Sequence, residues 1–188
     1  MNAPVEAGPP RVRILGIDPG TRVLGYGVID LVATATSRAP RIEYVECGVV
    51  RAPVDEDMPT RLGVLGAEIV EILQQLRPDV IALEQAFTGR NASSALKLGL
   101  CRGAVMLLSA QHSLPLREYA PAKIKRVVVG RGRATKQDVQ QRVRLLCRLR
   151  REPSSDAADA LAIALCHAHL HAELPVPLAA TPRTKVTR

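Results

Sequence analysis

The chain has 188 residues and a formal net charge of +8, room for one globular domain with short tails, and it is 47% hydrophobic but only 2% aromatic. Its core must therefore be aliphatic, and its basic balance points to a polyanion such as nucleic acid or an anionic surface. No apolar run approaches the ~20 residues of a membrane helix, the opening MNAPVEAGPP lacks the basic and apolar regions of a secretory signal, and Cys47, Cys101, Cys147 and Cys166 are too far apart for a CxxC centre, so no membrane role and a cytoplasmic location are expected.

In chain order, residues 1–10 are Pro-rich and predict a disordered leader. Three strand-like runs follow, Val12 to Ile17, Gly25 to Leu31 and Ile42 to Val50, with links short enough for antiparallel neighbours. Thr60 is placed to cap a helix in which Leu62, Leu65, Ile69, Ile72, Leu73 and Leu76 recur at helical spacing, and Pro78 ends it. Val80 to Leu83 reads as a short central strand, expected to be parallel.

Ala92 to Gln111 predicts a second helix with Leu96, Leu100, Gly103 and Leu107 on one face. Gly99 and Gly103, one turn apart, suit either a close seam between two copies or packing against the chain's own sheet. Leu114 to Tyr119 is the fifth strand, and helices are expected near Pro121 to Val129, Thr135 to Leu149 and Ser155 to His171, with Thr135 and Asp138 spaced as a capping box. The order implies an α/β domain over 11–171 built on a five-stranded mixed sheet, three antiparallel strands and then parallel ones, flanked by helices. Residues 172–188 predict a flexible basic tail.

Charge is concentrated. Arg117 to Arg151 holds twelve Lys or Arg against only Glu118 and Asp138. Within it, Lys136 follows the expected cap Thr135, where a positive charge opposes the helix dipole; with Arg131 and Arg133 nearby, an anion site at a helix N-terminus accounts for that placement, against the plainer reading of a solvated basic loop.

Three apolar elements carry carboxylates that a core does not want. "ILGID" ends in Asp18, "VIALE" ends in Glu84, and "SSDAADALAIALCH" places Asp156 and Asp159 three apart on one face of an otherwise apolar helix. Singly, Asp18 is explained as a turn residue before Pro-Gly, Glu84 as an arginine partner and Asp156 by the helix dipole; Asp159 resists such an account. Together, oxygen donors facing one spot without a His/Cys cluster suit Mg²⁺ or Mn²⁺ rather than zinc, and two such ions can drive phosphodiester hydrolysis. His167, His169 and His171 near a helix end read as cationic side chains at a helix C-terminus rather than a zinc site, for want of a third ligand.

"ILGIDPGTRVLGYGVI", "ALEQAF" followed by "NASSALKLG", "IKRVVVG" and "DAADALAIA", in this order, make the chain resemble the RuvC family of Holliday junction resolvases, in the ribonuclease H-like superfamily, from about Val12 to His171. The resemblance implies an acidic tetrad at Asp18, Glu84, Asp156 and Asp159, serving as both catalytic residues and ligands of two Mg²⁺ or Mn²⁺ ions, with Lys125 and Lys136 assisting. It implies a homodimer that binds a four-way DNA junction, cuts two strands symmetrically during recombination and repair, and works with the RuvA and RuvB branch-migration proteins. Phe87, the only phenylalanine, matches the family's DNA-probing aromatic and follows a strand terminus from which a ring can stack on bases. Arg90 and Lys97 are placed to flank it on phosphates. A DNA-binding module without catalysis is disfavoured by the complete tetrad, and a sugar-kinase or actin-like enzyme, suggested by "DPGT", needs a second half that this length and lack of repeat do not supply.

Overall fold

Apolar alternation in the first third of the chain produces three long strands, β1 (Arg11–Asp18), β2 (Val23–Thr34) and β3 (Ser37–Arg51). The computed structural model describes residues 10–34, 37–85 and 92–171; most of the expected leader, the tail, and the segment carrying Phe87 and Arg90 lie outside the described residues. The remaining elements are α1 (Met58–Leu76), β4 (Val80–Glu84), α2 (Ala92–Gln111), β5 (Leu116–Tyr119), α3 (Pro121–Val129), α4 (Lys136–Leu146) and α5 (Ser155–His171). The five strands form one sheet in the order β3-β2-β1-β4-β5. β1 pairs antiparallel with β2, and β2 with β3, whereas β4 runs parallel to both β1 and β5. That is the mixed sheet expected from the element order.

Local chemistry sets the helix ends. Asp57, not Thr60, caps α1: its carboxylate accepts the Thr60 N–H at 2.9 Å, with Pro59 in the first turn where its missing donor costs nothing. Arg77 then closes α1 at φ 46° before Pro78. At α4 the expected capping box is complete, Thr135 Oγ1 accepting from the Asp138 N–H and Asp138 accepting from the Thr135 N–H. α4 stops at Leu146, short of the expected Leu149, because Arg148 turns left-handed at φ 52°.

Strand alternation sorts the core into two faces. Ile14, Ile29, Val80, Ala82 and Tyr119 pack under α3, α4 and α5, while Leu15, Ile17, Leu24, Val28, Ile81 and Leu83 pack under α1 and α2. α5 is apolar nearly all round and is buried to match, from Ala157 through Ala168 apart from Asp159.

On α2 the expected apolar face points outward. The buried stripe is Cys101, Arg102, Val105 and Ser109, whereas Leu96 and Leu107 are 68% and 59% exposed and Leu100 is exposed beside them. Among the described residues, and apart from the helix's own backbone, nothing lies within 4 Å of where a side chain would stand on Gly99 or Gly103. Packing against the chain's own sheet is therefore not what these glycines serve.

Candidate active site

Register brings the first two carboxylates together. Ile17 pairs with Leu83 across the parallel β1·β4 ladder, so Asp18 and Glu84 end adjacent strands at the same level. Alternation then decides their side: Ile14 and Val80 face α5, and two and four residues further on so do Gly16 and Asp18, Ala82 and Glu84.

The helical pair arrives through close packing over glycine. Asp18 pairs with Gly25 on β2, and a β-carbon built on Gly25 would stand 2.1 Å from the Asp156 carbonyl oxygen. A β-carbon on Gly16 would meet the Ala160 carbonyl oxygen at 2.1 Å, and one on Gly27 would meet Leu161 at 2.7 Å. The absence of side chains at these positions lets the first turns of α5 lie directly on β1 and β2. Asp156 and Asp159 are thereby carried to the edge where Asp18 and Glu84 emerge.

The electrostatics agree with one shared site. Burial, then the charges of Glu84, Asp159 and Asp156, push the Asp18 carboxyl up to about 7, with Lys136 opposing. Glu84 is raised by burial and by Asp159, against Lys125, Arg102 and Lys136. Burial also raises Asp159, which Lys136 and Lys125 pull back down while Asp156 adds to the rise. Asp30 on β2 shows the alternative: burial raises it too, but Arg13 bonds it at 2.7 and 2.8 Å and Arg11 at 2.9 Å, and its carboxyl ends below the ordinary value. One buried aspartate is a structural ion pair; the other is short of positive charge, the condition typical of functional sites.

Both lysines point their charge at this edge. Lys136, 72% exposed, begins α4 with its Nζ 4.0 Å from Asp159 Oδ2, and Lys125 on α3 acts on Glu84 and Asp159. Arg131 is engaged by Asp138 at 2.8 Å, so it and the completed capping box leave less of the α4 N-terminus free for an anion than the spacing implied. Arg133 is exposed before α4 and Lys97 is exposed on α2. Among the described residues no three His, Cys, Asp or Glu side chains are already gathered as a metal-ligating group, so the carboxylates share an electrostatic site without yet forming a closed ligand shell.

The sequence reading missed three residues. Arg61 on α1 donates to the Thr21 carbonyl, and Cys101 Sγ lies 3.4 Å from the Gly20 carbonyl, so helices on the far face steady the loop after Asp18. Arg102 is buried, paired with Glu118 on β5, and lowers Glu84. Its position one residue from Cys101, on the stripe continued by Val105 and Ser109, was the available signal. The histidines need correction: His167 is buried and bonded to Tyr119, and burial, then His171 and Arg117, push it down to about 4, so it is neutral rather than cationic. No helix among the described residues is long and apolar enough to cross a membrane.

Residues 14–167 match the family model of crossover junction endodeoxyribonuclease RuvC. A protein of that name from Halorhodospira halophila is 48% identical over 169 residues, covering 90% of this chain and 96% of the relative. The solved structure of Thermus thermophilus RuvC superposes with a TM-score of 0.75 at 32% identity, over 88% of this chain and 98% of that one. The same protein in complex with Holliday junction substrate gives 0.75 at 34% identity, over 86% and 95%. The sheet order, the ribonuclease H-like layering and the sequence agree, and all four acidic positions fall inside the matched span: the chain belongs to the RuvC family of crossover junction endodeoxyribonucleases.

Proposed function

We propose that residues 11–171 form a nuclease domain that resolves four-way DNA junctions through a divalent-metal centre held by Asp18, Glu84, Asp156 and Asp159. The observation that carries this reading is the convergence of four carboxylates at one edge of the sheet, where burial and its acidic neighbours raise the Asp18 carboxyl. The donor set fits a hard cation: every candidate ligand is a carboxylate oxygen, and the ionised forms of Asp18, Glu84 and Asp159 lack the positive charge that would settle them. Mg²⁺ or Mn²⁺, as two ions per site, would supply an activated water for attack on phosphorus and would stabilise the leaving oxygen.

The chain's own groups do the rest. The β1 and β4 termini hold Asp18 and Glu84 on laddered strands, and α5 holds Asp156 and Asp159 on a buried helix, so each pair of carboxylates stands on a fixed element. Lys136 and Lys125, on different helices, place ammonium groups over the same edge, where they offset charge growing on the phosphoryl oxygens. Phe87 is assigned to base stacking, and Arg90, Lys97, Arg131 and Arg133 to phosphate contacts.

Paired, symmetric cleavage needs two such sites related by a two-fold axis, and the exposed Leu96, Leu100 and Leu107 beside open Gly99 and Gly103 on α2 support an isologous homodimer seam there. Family membership extends the proposal to the RuvA and RuvB proteins as partners and to a cytoplasmic setting. Cleavage of a synthetic four-way junction in Mg²⁺ or Mn²⁺ tests the core of it. Wild type should cut four-way junctions in preference to linear duplex, and Asp18→Asn should lose at least about 10²-fold in rate. A rate for Asp18→Asn within a few fold of wild type would refute the metal-centre assignment.

A further inference from the structure

Tyr119 stands at the junction of the two structural units that carry the acidic residues. Its main chain lies in the β4·β5 ladder opposite Glu84, and its carbonyl accepts the N–H of Gln85 at 2.9 Å. Its side chain crosses to α5, where the hydroxyl lies 2.7 Å from His167 Nδ1 and 3.2 Å from His171 Nε2. The hydroxyl has one proton to give, so it donates to one ring and accepts from the other; the shorter contact suits O–H···N and the longer N–H···O. In that arrangement His167 accepts through Nδ1 and His171 donates from Nε2, and the opposite tautomers would hold the hydroxyl equally. The neutral state of buried His167 is consistent with an acceptor nitrogen. The histidine rings, one helical turn apart, lie tilted to each other with centroids 4.5 Å apart, and Tyr119 meets His167 edge-on at 5.9 Å, so the hydroxyl is seated between them.

The seat matters because of where its two ends lead. α5 is fastened near its start by the glycine contacts at Gly16, Gly25 and Gly27, which tie Asp156 and Asp159 to Asp18 on β1. β4, the strand that carries Glu84, packs under α5 through Val80 and Ala82, and to that non-directional packing the Tyr119 bridge adds a directional tie between the distal end of α5 and the residue laddered with Glu84. A rigid helix held at both ends cannot swing, and the Glu84-to-α5 spacing is then determined.

We propose that Tyr119 is a positioning residue of the nuclease centre, its hydroxyl clamped between His167 and His171 so that the spacing between Glu84 and the two α5 aspartates is held. The inference rests on the metal-centre reading above. It is tested on the full chain with Tyr119→Phe, which keeps the ring and removes only the bridge, and with His167→Asn and His167→Leu, the first of which restores an acceptor near the place of Nδ1.

Three readouts are taken: kcat and KM on a four-way junction, the Mn²⁺ concentration giving half of the metal-induced rise in Tm, and Tm itself. Tyr119→Phe and His167→Leu are expected to lower kcat by about tenfold with KM within about twofold, and to raise the half-effective Mn²⁺ concentration several-fold, whereas His167→Asn stays near wild type. Val143→Ala, a cavity in the same core under α4, supplies the effect of lost stability alone and should leave the Mn²⁺ response unchanged. A normal Mn²⁺ response in Tyr119→Phe overturns the clamp, as does His167→Asn no better than His167→Leu, or Val143→Ala reproducing the kcat loss at equal Tm. If Tyr119→Phe does not fold, the two His167 variants decide by the same criteria. Wild-type cleavage with an inactive Asp18→Asn secures the underlying reading separately, so a negative result here would fall on Tyr119 alone.

Discussion

Gly25→Ala should disable the centre without touching a functional group. The added β-carbon would stand 2.1 Å from the Asp156 carbonyl oxygen and 2.6 Å from its carbon, both backbone atoms that no rotamer change can move aside. Ordinary contact begins near 3.4 Å, so the first turn of α5 must lift by about 1 Å, carrying Asp156 and Asp159 away from Asp18; overpacking of this kind costs about 1–3 kcal/mol of stability. A misplacement of ~1 Å in a preorganised site can lower the rate by about 10²-fold. Junction cleavage measured beside urea unfolding separates the two effects, the rate falling far more than the loss of folded protein explains. Gly66→Ala is the internal comparison: among the described residues nothing lies within 4 Å of its β-carbon position on α1, so it should gain about 0.5–1 kcal/mol from better helix propensity and cleave normally. Wild-type cleavage by Gly25→Ala would mean that α5 does not set the position of its carboxylates through this contact, and the geometric argument for the site would fail.

Two further outcomes follow from the electrostatics and the exposed helix. Because burial and neighbouring carboxylates raise Asp18 to about 7 from 3.8, the native state without divalent ions holds a proton that the unfolded chain releases. This group therefore imposes no penalty below about pH 4, a growing one between pH 4 and 7, and its full effect, on the order of a few kcal/mol, above pH 7. In chelator at pH 8, Asp18→Asn should thus melt higher than wild type, with the gap vanishing near pH 4, while Mg²⁺ stabilises wild type more at pH 8 than at pH 5.5; a pH-independent gap between the two proteins would contradict it. Separately, Leu107→Glu on α2 should leave the protein folded but shift it from dimer to monomer in analytical ultracentrifugation, since a charge replaces a 59% exposed leucine at the proposed seam; an unchanged mass would place the dimer contact elsewhere.

Much of this was legible in order along the chain. Apolar runs bounded by turn residues located β1 to β4, helical spacing and capping chemistry located α1, α4 and α5, and the misfit of Asp18, Glu84 and Asp159 with apolar surroundings marked them for chemistry. Local signals worked because they depend on neighbours within a turn or a strand: a carboxylate in an aliphatic run is conspicuous wherever the run is placed. They failed where two candidates compete within one turn, as when Asp57 rather than Thr60 capped α1.

Periodicity also identifies an apolar stripe without saying what will cover it. On α2 the stripe of Leu96, Leu100 and Leu107 faces outward, while buried Arg102 sits among the inward residues, because the sheet beneath offers Glu118 as its partner.

What the sequence by itself determined is which groups exist and which elements carry them: four carboxylates on two strand ends and one helix, lysines on two others, and a glycine at 16, 25 and 27. Tertiary structure alone decided that these meet. Parallel register sets Glu84 beside Asp18, three missing side chains admit α5 to the sheet, and Tyr119 reaches across 48 residues to His167. Such relations join atoms far apart in the chain, and no local periodicity encodes a distance between elements; only packing, which brings every element to its lowest accessible separation at once, can set it.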